Sequence, residues 1–336
     1  MYSPDVAHDR QLAQGGLLAF DEAKDFETQK RAIKAKLLEC LGDMPATRVP
    51  LDPVIESVAE HETFTETRVL LTVEEGIRMP ALVCVPKSGK KPYPVAICLQ
   101  GHSTGMHRTM GRCLEGEKPD EGDRDMAIQA LAKGYAALVI DQRCMGERRT
   151  IKVWNQNDHN EPRCHTTSMA ALIVGRTMIG ERCWDISRLI DYAETLPELD
   201  TSRLICMGNS GGGTATYYAA AFDERITVAI PSCAVCTFKD SIAAMFHCEC
   251  NFIPGIAKYM DMGDMAVAIA PRPLIVVHGL EDSIFPKAGV YEAYETIQKV
   301  YAAAGAPDRC ALVSGPAGHR FYKDLAWAKF DEMIGW

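Results

Sequence analysis

No apolar run in this chain approaches the roughly 20 residues a membrane span needs, so an integral membrane helix is excluded. Basic tracts are missing as well. The longest are pairs such as Lys90-Lys91 and Arg148-Arg149, and a formal net charge of -9 leaves no electrostatic footprint for nucleic acid. The opening stretch MYSPDVAHDRQLAQGG has no basic flank, apolar core or small-residue cleavage site. Low-complexity linkers and internal repeats are absent, which favours one domain with appendages over an array. Neither G-x-G-x-x-G nor a P-loop Lys-Ser/Thr occurs at the glycine-rich turn considered below, which argues against nucleotide phosphates there.

Cysteine is plentiful. There are 13, an odd number, and Cys84, Cys98 and Cys206 stand inside apolar runs, where a thiol behaves as a small buried hydrophobe. Reduced thiols in a cytoplasmic protein are the expectation. At 336 residues, 47% of them apolar and 24% charged, the chain has the material for a large folded α/β domain.

Residues 21 to 41 place Phe26, Ile33, Leu37, Leu38 and Leu41 at near-helical spacing among charges, predicting an amphipathic helix packed on the body. The same helix is a candidate docking face for a second copy, so a homo-oligomer is admitted. RVLLTVEEG and MPALVCVP read as two strands joined at Glu75-Gly76, an antiparallel entry. Alternation follows: strands at 94–99, 135–140, 203–207, 226–231, 273–277 and 309–313, with helices at 124–133, within 166–196, and at 212–221 and 287–304. Near-continuous apolar strands separated by helices predict a doubly wound, mostly parallel sheet covered on both faces. Residues 232–270 break the rhythm and are expected to be an insertion over the carboxyl ends of the strands, where ligands bind in such sheets. The expected division is a helical extension over 1–64 and an α/β domain over 65–336.

Gly208-Asn209-Ser210-Gly211-Gly212 fits G-x-S-x-G, with an apolar strand before it and a helix after it. A sharp strand-to-helix turn needs the glycines and lifts the serine hydroxyl into the open, and the Gly211 N–H is placed to donate to a developing oxyanion. A serine needs a base, and the base needs a carboxylate to fix its tautomer. In this architecture both come from loops after late strands. HGLEDSIFP offers Glu281 and Asp282, of which Asp282 is chosen for its place at the turn ahead of Pro286; SGPAGHRF offers His319 as the base. The loop Gln100-Gly101-His102 supplies the second oxyanion donor, the backbone N–H of His102. The side chains of His102 and His107 either line the pocket or satisfy local hydrogen bonds.

With Ser210, Asp282 and His319 in these roles, the sequence resembles the α/β-hydrolases. Within them it is similar to the acetyl xylan esterase and cephalosporin deacetylase type and its dienelactone-hydrolase-like relatives. The resemblance rests on DQRCMGER (141–148), ERCWDISRLIDY (181–192), GNSGGG, HGLEDSIFP and AGHRF, and spans roughly residues 65 to 325. The family's first glycine in the 141–148 stretch is replaced here by Cys144, the second matched by Gly146. The resemblance implies the α/β-hydrolase fold, a Ser-His-Asp esterase acting on small esters of acetyl type, possible carbohydrate alcohols, and no cofactor. Peptide hydrolysis is the catalytic rival, although oligopeptidases of this fold carry a larger N-terminal domain. A binding protein that kept the fold is the rival outside catalysis.

Asp141 and Arg143, leaving a central strand, are expected to brace the active-site loop, by an ion pair between them, rather than face substrate. Trp184-Asp185 reads as packing plus an exposed carboxylate. Cys233, Cys236, His247, Cys248 and Cys250 invite a zinc reading, since thiolates and imidazole are the usual ligands. Segments of the form H-C-x-C-N-x-x-P-G occur in relatives as part of the insertion, however, and triad hydrolysis needs no metal, so buried thiols are expected and no metal.

Overall fold

The structure is a computed structural model and describes residues 2–119, 121–149 and 164–336. In chain order its elements are α1 (Asp5–Ala13), α2 (Phe26–Leu41), β1 (Val54–Glu60), β2 (Phe64–Glu74), β3 (Ile77–Pro86), β4 (Tyr93–Leu99), α3 (Met126–Ala132), β5 (Ala136–Ile140), α4 (Cys164–Ile173) and α5 (Met178–Ala193). There follow β6 (Leu199–Asn209), α6 (Gly211–Phe222), β7 (Val228–Ser232), α7 (Met262–Met265), β8 (Leu274–Gly279), α8 (Lys287–Ala303), β9 (Cys310–Gly315) and α9 (Lys323–Met333). The described strands form one nine-stranded sheet in the order β1-β2-β3-β5-β4-β6-β7-β8-β9. Pairing is antiparallel from β1 through β3 to β5 and parallel from β5 onward. This is the α/β-hydrolase arrangement, with the antiparallel start expected from the sequence.

Strand periodicity sorts the side chains onto two faces. Val95, Ile97, Leu204, Cys206, Leu274 and Val276 point to one core, shared with α2, α5, α6 and α8. Ala96, Cys98, Ile205, Met207, Ile275 and Val277 point to the other, shared with Met126 and Ala130 of α3 and Trp327 and Phe330 of α9. Both faces are apolar and buried, as a parallel sheet requires.

Helix α2 starts where its cap allows: the Asp25 carboxylate accepts the Thr28 N–H at 2.8 Å. Its apolar stripe, Ile33, Leu37 and Leu41, is buried in the first of the two cores. The face on which docking of a second copy was considered is therefore used within the chain.

Strand β1 has no counterpart in the sequence reading. Every one of its residues is exposed, so VIESVAE carries no inside-outside alternation, and only its ladder to β2 makes it a strand. With β1 counted, the insertion follows the seventh strand. It consists of short 3-10 turns at Phe238–Asp240, Glu249–Asn251, Ile256–Lys258 and Ala266–Ala268 together with α7.

Candidate active site

Ser210 sits between the last residue of β6 and the first of α6, with φ 58° and ψ -125°. A side-chain-bearing residue is rarely found in that region, and holding it there costs on the order of 1–3 kcal/mol, offset by the structure around it. The turn closes so tightly that a β-carbon on Gly212 would lie 2.1 Å from the carbonyl oxygen of Leu99 at the end of β4. Glycine is thus required by the close approach of the first turn of α6 to the end of β4. The Ser210 N–H donates to the Ser232 carbonyl at 2.8 Å, fixing the turn to the end of β7.

Asp282 follows β8 and His319 follows β9. Because β6, β7, β8 and β9 run parallel, all three residues emerge at the same edge of the sheet. His319 Nδ1 lies 2.8 Å from Asp282 Oδ2, and the other carboxylate oxygen accepts the Ile284 N–H at 2.9 Å. Burial alone raises the Asp282 pKa. The hydrogen bond and charge of His319 and the Ile284 N–H outweigh it, so the group is held below the usual carboxylate range. Glu281 is exposed, and its backbone N–H donates to Ala317; the imidazole takes Asp282 as its partner. Phe285 stacks on the His319 ring at 6.0 Å between centroids, with the planes 18° apart.

Ser232, which the sequence reading passed over, joins the two halves of this edge. Its carbonyl holds Ser210, and its hydroxyl donates to the Arg320 carbonyl at 3.2 Å, next to His319. The Cys233 thiol donates to the same carbonyl at 3.3 Å. A small polar residue ending the strand beside the nucleophile strand was the available signal.

The loop after β4 lies against the elbow: a β-carbon on Gly101 would come within 3.1 Å of Ser210 Cβ. The His102 ring covers Gly211, where an added β-carbon would be 2.8 Å from its Nδ1 and Cε1. The backbone of residues 101–102 and the N-terminus of α6 thus flank Ser210. The Gln100 carbonyl accepts from the Gln142 side chain at 2.6 Å, while the buried Gln100 amide has no hydrogen-bond partner among the described residues. His107 satisfies local groups, Glu117 at 2.9 Å and Thr104 at 3.3 Å.

Asp141 and Arg143 do not pair with each other, contrary to the expected ion pair. Buried Asp141 accepts the N–H groups of Met106 at 2.6 Å and Glu147 at 2.9 Å, binding the loops after β4 and β5 together. Arg143 instead clamps Asp185 with two bonds, 2.9 and 3.0 Å, and meets Glu181 at 2.9 Å and Glu74 at 3.3 Å. Asp185 was expected at the surface. It is fully buried, because α5 turns it toward the β5 loop, where Arg148 adds a third contact at 2.5 Å. Burial raises its pKa, and Arg148 and Arg143 together more than reverse this. Trp184 is packed as expected, its indole N–H on the Val73 carbonyl at 2.7 Å.

The insertion divides in two. Cys233 and Cys236 belong to the Asp282 side, with the Cys236 thiol 3.8 Å from the Pro286 carbonyl, and His247 binds Ser241 at 3.1 Å. Phe252 and Ile253 line a cleft of about 550 Å³ against α1, which Ser210, Asp282 and His319 do not line.

Sheet order, elbow and late-loop carboxylate and imidazole define an α/β-hydrolase. The chain belongs to the Abhydrolase family, whose model matches residues 17–316. It is 25% identical over 296 residues to the Bacillus subtilis (strain 168) protein named "Putative hydrolase YtaP", covering 85% of this chain and 92% of that one. Among solved structures, one described as a putative acetyl xylan esterase from Bacteroides fragilis NCTC 9343 superposes with a TM-score of 0.77 at 17% identity, over 100% of this chain and 86% of that chain. A glucuronoyl esterase from Solibacter usitatus gives 0.63 at 18% identity, over 94% and 97%. No helix among the described residues is long and apolar enough to cross a membrane.

Proposed function

We propose that this protein hydrolyses carboxylic esters through an acyl-enzyme on Ser210. The observation that carries the reading is the 2.8 Å bond between His319 and Asp282 at the sheet edge where Ser210 is displayed. With Nδ1 engaged by the carboxylate, Nε2 of His319 is the nitrogen left to act on the serine. It takes the hydroxyl proton as Oγ adds to the ester carbonyl. The oxyanion is received by the N–H groups of Gly211 and His102, fixed dipoles that need no reorganisation as charge develops. Collapse expels the alcohol, which leaves with the proton held by His319. Water, deprotonated by the same imidazole, then adds to the acyl group and releases the acid and Ser210.

Short acyl esters carried on carbohydrate are the substrate class this reading favours. Support comes from similar proteins named acetyl xylan esterases, while those named glucuronoyl esterases support a carbohydrate ester more broadly. The test pairs chemistry with substrate. Ser210→Ala should lower kcat on p-nitrophenyl acetate by on the order of 10⁶ and abolish fluorophosphonate labelling. Wild-type rates in that variant would remove the assignment. Acetylated xylo-oligosaccharides and methyl esters of glucuronic acid, assayed side by side, separate acetyl removal from uronate ester cleavage.

A further inference from the structure

The four side chains His102, Cys164, Cys248 and Cys250 are scattered along the sequence, in the loop after β4, at the start of α4 and in the insertion. Their ligand atoms all lie within 4.8 Å of one another. His102 Nε2 is 3.1 Å from the Cys250 sulfur. In a tetrahedral site with zinc–sulfur bonds of about 2.3 Å and zinc–nitrogen bonds of about 2.0 Å, neighbouring donors stand roughly 3.5 to 3.8 Å apart. The 3.1 Å contact and the 4.8 Å upper bound lie on either side of these separations.

Charge gives an independent indication. Arg182 of α5 is 1% exposed, and its guanidinium rests 3.3 Å from the Cys250 sulfur and 3.8 Å from that of Cys164. Its other bonds go to the Arg143 carbonyl, and no carboxylate among the described residues pairs with it. A buried guanidinium facing neutral thiols would be a cation without a counter-charge, which is strongly unfavourable. Three thiolates facing only one guanidinium would be a surplus of negative charge. A divalent ion bound by three thiolates and a neutral imidazole carries one negative charge, which Arg182 cancels.

We propose that His102, Cys164, Cys248 and Cys250 hold a structural zinc ion. The donor set, three thiolates and one imidazole, suits zinc over the oxygen-seeking divalent ions, and four protein ligands close the coordination shell against substrate. The ion fastens the insertion and the start of α4 to the loop that flanks Ser210. Its role is to position that loop rather than to act on an ester. The sequence reading grouped Cys248 and Cys250 with Cys233, Cys236 and His247. The fold replaces those three with His102 and Cys164.

The full chain, expressed in zinc-supplemented medium and purified under reductant without a chelator or a histidine tag, should carry about one zinc per chain by plasma mass spectrometry. Cys164→Ser and Cys248→Ser should each cut retained zinc about tenfold or more, while Cys113→Ser, at an exposed thiol outside the cluster, keeps it. Should the ligand variants fail to fold, the wild type still decides. Stripped of metal under reductant and titrated with cobalt(II), it should develop thiolate-to-cobalt charge-transfer bands and the intense visible bands of tetrahedral cobalt. The proposal is overturned if wild type binds neither zinc nor cobalt, if the Cys164/Cys248 double variant keeps its zinc, or if intact mass shows a disulfide within the cluster. None of these readouts depends on the ester substrate.

Discussion

Asp282 orients His319 with one carboxylate oxygen, 2.8 Å from Nδ1, while its other oxygen anchors the loop through the Ile284 N–H at 2.9 Å. The imidazole is thereby tied to the backbone after β8 as well as to its own loop. An asparagine at 282 keeps an acceptor for the loop but can donate to Nδ1, which favours the wrong tautomer. Asp282→Asn should lower kcat on p-nitrophenyl acetate by on the order of 10⁴ with little change in KM. Exposed Glu281→Gln should stay within about twofold of wild type in the same assay. The reverse ranking of the two variants would move the acid to Glu281.

The fully buried Asp185 carboxylate bonds two guanidinium groups, those of Arg143 and Arg148. Asp185→Asn takes from Arg148 its carboxylate partner among the described residues, while Arg143 keeps Glu181 and Glu74, and a loss of about 3–5 kcal/mol is expected in urea unfolding. A variant of wild-type stability would show that the carboxylate carries no such burden.

Gly212→Ala places a methyl group 2.1 Å from the Leu99 carbonyl oxygen, and backbone on both sides leaves nothing soft to yield. Destabilisation of about 3 kcal/mol or more, or failure to accumulate as folded protein, is the expected result. Near-native unfolding midpoints would mean that β4 and α6 are less closely apposed.

Asp261, which accepts the N–H groups of Met262 and Phe238, has its pKa pushed up by burial to about 6. The folded carboxyl binds a proton below about pH 6 and the unfolded one only below about pH 4. The native state therefore holds more protons across that window, and stability from this group falls as pH rises through it, by up to about 3 kcal/mol. Asp261→Asn should lack the slope, so its stability relative to wild type should improve from pH 4 to pH 6 in urea titrations. A constant difference across that range would refute the assignment.

The sheet and the elbow were readable because their signals are local. PVAICL and YAALVI are short apolar runs of strand length set in an alternation with helices, and GNSGGG follows its strand directly. Asp282 and His319 could be located because strand ends tell where loops emerge. Strand β1 was not visible, since a strand with no buried residue has no pattern to display. Asp185 was misjudged for a related reason. An amphipathic reading places charges outward, and nothing in ERCWDISRLIDY announces that Arg143 and Arg148 wait on the inner side. The grouping of His102 with Cys164 likewise depends on how three segments fold over one another, which spacing within a motif does not encode.

Ser210, Asp282 and His319 leave three different strands, and β7 stands between the first of these and the other two. No single strand and loop of the chain therefore contains the whole candidate site; Asp282 and His319 come from the adjacent β8 and β9, and Ser210 from β6. The β6 elbow can form early, yet His319 reaches it only after β8 has paired with β7 and β9 with β8. During refolding, the first turnover should coincide with the seating of the last strand. Esterase activity would then serve as a clock for the completion of the sheet, lagging behind probes that see only its centre.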